Sequence, residues 1–324
     1  DIMSKQYQKP KPSPIPPYIY IPVGISSILV VIGYYSCLDE APLTKRKRLL
    51  ATSPEWEQQL GDEQYEQLRR QYRGEILAPD HRASVTVRRV GGRLASAAGI
   101  FKQNYINGEG SKNLRGHKSK PYTFTVVRSD MANAFVLPGN HVFVLTGLFK
   151  YARDEDELAA VIGHEMAHNL ARHAGERMSG SVLVSLFARF TLLLDPSGFL
   201  YTIFLPAAAL LHDLPNSREA EVEADKIGIH LAAEACYDPR AAQRVFLAMK
   251  TGDGNGHNHS TPPQFLSTHP SYDTRITNFT DPNFMGDALN RFNADFGNRC
   301  RHVREEMKIA RRHAAMIAAR RERK

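Results

Sequence analysis

His164-Glu165-Met166-Ala167-His168 sets two imidazoles four residues apart around a carboxylate. On a helix, residues i and i+4 share a face, so both rings can point at one metal ion. Glu165 is turned about 100° from His164. It can reach a water without being forced to ligate. Zinc lowers the pKa of a bound water to about 7, and the glutamate can then take its proton. The chemistry such a group performs is metal-assisted hydrolysis. A catalytic zinc takes three protein ligands and leaves one position open. The stretch Ser217–Asp225 (SREAEVEAD) offers the third. Glu221 and Asp225 are again four apart. Glu221 would complete a site for one Zn2+ per chain with His164 and His168, and Asp225 would accept the free N–H of His164 and fix its tautomer. Glu219 and Glu223 have the same spacing, so geometry alone allows that pair too. The apolar company of Asp225 (Ala224, Gly228, Leu231) favours Glu221 and leaves Glu219 and Glu223 in solvent.

These side chains need helices beneath them. Asp154 can cap one, with Glu157 completing a D-x-x-E box. That helix is expected to run on through His173. Asn216 or Ser217 can cap the second. Upstream, Ser53-Pro54-Glu55 starts a polar helix reaching about Arg73, and Val85–Phe101 repeats apolar residues at helical spacing. Residues 107–121 read as a loop. Tyr122–Arg128, Ala134–Leu137 and Val142–Thr146 read as short strands, the last two a hairpin around Pro138-Gly139-Asn140. The fold class is α+β, mostly helical with a small sheet. The Gly-rich segment 251–264 cannot hold a ligand rigidly, so His257 and His259 are expected to be solvated. By residue type alone, His269 before Pro270 reads as structural.

A 324-residue chain that is 42% hydrophobic and 23% charged excludes collagen-like, disordered and disulfide-dense classes. Cys37, Cys236 and Cys300 form no CxxC pair, and Cys236 and Cys300 are expected as free thiols. Tyr18–Cys37 is uncharged, and its twenty residues would cover roughly 30 Å of bilayer as a helix. Residues 18–38 are therefore expected to span a membrane. The apolar stretch 192–211, broken at Pro196, could pack in the core or dip toward lipid. Of the net charge of +8, the last 26 residues carry ten Lys/Arg and three Glu, hence +7. Such a tail suits an anionic membrane surface. Without interleaved aromatics or glycines, it gives no case for nucleic acid. The expected organisation is an N-terminal segment (1–17), the span (18–38), a helical linker with the N-terminal part of the catalytic domain (39–121), a zinc-binding catalytic core (122–285) and a basic helical tail (286–324).

The order HExxH, SRxxExEAD, then Ser267-Thr268-His269-Pro270 with Arg275-Ile276 resembles the zinc peptidases that include type 1 CaaX prenyl proteases and HtpX heat-shock proteases. The likeness covers roughly residues 18–280. It implies a zincin-type fold behind one transmembrane helix, and it too points to Glu221 as third ligand. By the same resemblance, His269 would stabilise the oxyanion and Arg275 would support the site. Asn133-Ala134-Phe135 would be an edge strand that binds extended peptide through its main chain. Leu38–Pro42, Lys45–Arg48 and Glu223–Gly228 resemble a mitochondrial inner-membrane branch whose activity overlaps the m-AAA protease. That branch implies a protease domain in the intermembrane space, acting on membrane proteins in quality control and stress. Its partners would be protein substrates and the membrane, with a possible homo-oligomer. The rival readings are a prenyl protease of another membrane and a catalytically silent scaffold that kept the fold.

Overall fold

The computed structural model describes residues 31–106, 120–195, 217–254, 257–258, 264–269, 272–294 and 299–322, with positions 28, 197–199, 201–202 and 206 besides. The expected span lies for the most part outside these residues, as do His259, Pro270 and half of 192–211. No helix among the described residues is long and apolar enough to cross a membrane. The chain divides into two compact units, 1–38 and 39–324. In the first, residues 31–36 are helical.

The second unit opens on a small hairpin of β1 (Leu38–Glu40) and β2 (Lys47–Leu49), followed by α1 (Pro54–Gln71) and α2 (Arg82–Phe101). Ser53 caps α1 by accepting the Trp56 N–H, with Pro54 at the first position, as its sequence dictates. β3 (Thr123–Val127), β4 (Ala134–Leu137) and β5 (His141–Leu145) form one sheet in the order β3-β5-β4. β3 runs parallel to β5, and β4 pairs antiparallel with it from Ala134↔Val144 to Leu137↔His141. The hairpin is closed by Gly139 and Asn140, both at positive φ. β4 is thus one of the sheet's two outer strands. The close approach of α1 to this turn needs Gly61, where a Cβ would stand 1.8 Å from the Pro138 carbonyl oxygen.

The centre of the unit is α3 (Glu155–Leu170), buried on nearly every side. Asp154 caps it through the Glu157 N–H. The expected reciprocal bond shifts by one residue: Glu157 accepts from Arg153 rather than from Asp154. The helix also ends sooner than its sequence suggests. Ala171 closes it, Arg172 turns left-handed at φ 55°, and a new helix, α4 (His173–Leu194), begins. The reason lies outside the segment. The Arg172 side chain is buried against Glu57 of α1, 2.6 and 3.1 Å away, and the Thr52 carbonyl. A straight helix could not deliver it there.

α5 (Arg218–Glu234), capped by Ser217, lies along α3. Gly163 and Gly228 face each other where the two backbones meet. The remaining helices are α6 (Ala241–Thr251), α7 (Gln264–Thr268), α8 (Tyr272–Asn278), α9 (Pro282–Ala294) and α10 (Arg299–Glu322). Two-residue strands β6 (Asp253–Gly254) and β7 (His257–Asn258) sit in the glycine-rich segment. Cys236 and Cys300 are not free thiols; they form a disulfide between the end of α5 and the start of α10. Both are buried, with Cα atoms 5.1 Å apart, a proximity that 64 residues of intervening chain conceal. Arg304 extends the attachment, 2.6 Å from Asp156 beside the α3 cap.

A methyl group at position 228 would stand 3.0 and 3.1 Å from the His164 backbone N and Cα. Helix propensity favours alanine by about 1 kcal/mol, whereas forcing two packed backbones apart costs about 1–3 kcal/mol. The collision involves backbone and should win. Gly228→Ala is expected to lower Tm by several degrees in thermal unfolding.

Candidate metal centre

α3 delivers His164, Glu165 and His168; α5 delivers Glu221 and Asp225; the turn after α7 delivers His269, and α8 delivers Arg275. All seven are buried. His164 Nε2 and His168 Nε2 are 3.0 Å apart, and the Glu221 oxygens lie 3.4 and 3.5 Å from them. Ligands about 2.0–2.1 Å from a tetrahedral ion are separated by about 3.3 Å, so these three atoms have the spacing of one metal's ligands. His269 joins them: its Nδ1 is 3.1 Å from both Glu221 oxygens and 3.2 Å from His164 Nε2. Ligand atoms of His164, His168, Glu221 and His269 all fall within 4.8 Å of one another. Of the expected third-ligand candidates, only Glu221 is brought here. Glu219 is exposed.

Beneath the ligands sits Arg275, whose side chain is wholly buried. Its guanidinium makes a bidentate pair with Asp225, 2.7 Å on each arm, and lies 3.0 Å from Glu221. Asp225 in turn is 3.0 Å from His164 Nδ1. A carboxylate can only accept, so the ring proton belongs on Nδ1 and the Nε2 lone pair faces the cluster. Burial by itself would raise the Asp225 carboxyl, but Arg275 and the His164 bond outweigh it and hold it below its usual value. The same contest lowers Glu221 well below the carboxylate range, through His164, His168 and His269. Burial keeps His168 well below its ordinary value, in the neutral form that binds metals. His269 goes the other way: burial opposes its charge, yet Glu165 and Glu221 push it up to about 9.

The charge balance also fits a cation. Glu165, Glu221 and Asp225 are three buried carboxylates facing one fixed positive charge, Arg275. With His269 beside Glu165 and Glu221 the cluster still carries more acid than base, which favours a cation among the imidazoles and the Glu221 carboxylate. Glu165 Oε1 is left for chemistry. It is buried, 3.3 Å from His269 Nε2, and makes no well-aligned hydrogen bond. It opens with His168 and His269 onto a cleft of about 600 Å³ bounded by Asn133, Phe135 and Val136 at the sheet edge.

Residue types and spacing missed part of the site. Glu223 is not solvated: it is buried and accepts from His173 Nε2 at 3.1 Å, while His173 Nδ1 meets His168 Nδ1 at 2.8 Å. At i+5, His173 would leave the metal face of a continuous helix. The left-handed turn at Arg172 brings it back. The signal that could have found it is the polar cluster Arg172-His173 at the end of an otherwise apolar helix.

Metal content separates the competing acids. Glu221→Ala should lose the metal, Glu219→Ala should retain it, and Asp225→Asn should weaken affinity by about 10–100-fold. Elemental analysis and chelator competition read all three.

The sequence profile of peptidase family M48 matches residues 108–283, which include every residue of this cluster. The chain is 32% identical to the mitochondrial metalloendopeptidase OMA1 of Schizosaccharomyces pombe, covering 76% of this chain and 66% of that protein. It is 31% identical to the Saccharomyces cerevisiae OMA1 over 76% of this chain and 69% of that one. Against the human OMA1 it is 31% identical, covering 78% and 48%. The chain thus spans about two thirds of the yeast relatives and about half of the human one. With the two helical motifs folded onto one buried centre inside the matched region, this chain belongs to peptidase family M48.

Proposed function

We propose that this chain is a zinc-dependent endopeptidase of the mitochondrial inner membrane. Its catalytic unit would face the intermembrane space, and it would cleave membrane proteins in quality control and stress. The observation that carries the peptidase reading is the Glu165 carboxylate, whose buried Oε1 makes no well-aligned hydrogen bond among the described residues, where the cleft along β4 meets the His164, His168 and Glu221 cluster. The compartment is supported by the names of the relatives, which are mitochondrial metalloendopeptidases. The membrane reading rests on Tyr18–Cys37 and the basic tail.

His164, His168 and Glu221 would hold the ion, two nitrogens and an oxygen in a set that suits zinc. Zinc there supplies Lewis acidity to the scissile carbonyl and to the attacking water. Glu165 accepts the water's proton and passes it to the departing amine. A peptide laid along β4 as an added strand is held by main-chain bonds, with Asn133, Ala134 and Phe135 at its side. His269, beside the cleft, donates a hydrogen bond to the carbonyl oxygen as it becomes an oxyanion. Arg275 and Asp225 hold the ligands in place. A second reading of His269, as a fourth ligand, is favoured by its 3.1 Å contacts with Glu221.

Glu165→Gln should keep metal and fold yet lose cleavage, because an amide cannot take a proton. His269→Ala separates the two roles. An oxyanion donor's loss leaves metal content intact and lowers kcat by about 10²–10³-fold, whereas a ligand's loss empties the site. For the anchor, alkaline carbonate extraction of membranes should leave the chain in the pellet, and recovery in the supernatant would remove the span.

A further inference from the structure

Ligating histidines usually give their second ring nitrogen to a carboxylate, a carbonyl or water. His164 does so through Asp225. His168 meets a second histidine instead, His173, at 2.8 Å between the Nδ1 atoms. The protons along this chain can be placed. If His168 Nε2 faces the metal, Nδ1–H donates to His173 Nδ1. His173 must then carry its proton on Nε2, which donates to Glu223 Oε2 at 3.1 Å. The order holds only while Glu223 stays in place to accept that bond. Two side chains secure it: Arg46 Nη2 at 2.9 Å and the Thr44 hydroxyl.

Thr44 and Arg46 belong to the loop between β1 and β2, over 170 residues from Glu223 in sequence. The same hairpin also reaches the end of the HExxH helix directly. Arg48 of β2, buried and 3.0 Å from Asp39, donates to the carbonyl of Ala171, the residue that closes α3. Both contacts converge on one turn, 171–173. Resting on the metal-site reading above, we propose that the β1–β2 hairpin is a positioning element of the metal centre. Through Arg46 and Thr44 it fixes Glu223, which orients His173, which fixes the tautomer and aim of His168. The hairpin directly follows the stretch expected to anchor the chain. A displacement of that hairpin would loosen His168 without any change in the ligands themselves.

The test is zinc affinity of the full chain by chelator competition, with the Tm of each metal-free variant recorded alongside. His173→Phe and Glu223→Gln should each weaken zinc by about 10–100-fold. Arg46→Ala should weaken it several-fold and Arg46→Lys less, since an ammonium still reaches one carboxylate oxygen. Lys47→Ala, which removes an exposed charge from the same hairpin, should leave affinity unchanged. The deciding measurement is the double variant. If the hairpin acts through His173, Arg46→Ala adds nothing once His173→Phe is present. Additive losses, an unchanged affinity in Arg46→Ala, or a matching loss in Lys47→Ala would overturn the proposal while leaving the metal site standing. Wild-type protein that binds no zinc, or His168→Ala that binds it fully, would overturn the metal site and the proposal together.

Discussion

A single guanidinium, that of Arg275, is the constraint on which the site depends. It lies wholly buried between Asp225 and Glu221, over the face of Phe246 at 4.3 Å from the ring centre. Asp225, so deep in apolar surroundings, would be protonated or expelled without it. With it, Asp225 becomes the acceptor that orients His164, while Glu221, 3.0 Å from the same guanidinium, is held ionised by the imidazoles around it. Glu165 makes no such bidentate pair; His269 Nε2 lies 3.3 Å from it. The difference between a structural carboxylate and a reactive one is here a matter of which acid the arginine can reach.

Holding that arrangement requires α3 and α5 to run closer than ordinary side chains allow, and the facing glycines at 163 and 228 make the approach possible. It also requires α3 to stop on time. Its end is set by contacts from elsewhere: Glu57 of α1 takes Arg172, and Arg48 takes the Ala171 carbonyl. The N-terminal segments after residue 39 therefore act as a brace on the metal helix rather than as a spacer. At the opposite end, the Cys236–Cys300 disulfide and the Arg304–Asp156 pair fasten the basic helix to α5 and to the start of α3.

The sequence by itself determined the chemistry and much of the local structure. Spacing of four on a helix put His164 with His168 and Glu221 with Asp225. Capping residues marked the starts of α1, α3 and α5, and turn residues marked the β4–β5 hairpin. These features are local: each depends on residues within a turn or two of helix, where periodicity carries the information. The choice of Glu221 over Glu219 was legible through the apolar company of Asp225 and through the family resemblance, since spacing alone left both open. What the tertiary structure decided is non-local. Whether Glu223 is solvated depends on a hairpin that arrives from residues 44–46. Whether His173 continues a helix or turns back onto His168 depends on Glu57. Whether Cys236 has a partner depends on where α10 packs. A buried charge is stable only with its partner beside it, and the partner's place is fixed by packing, which no local pattern encodes.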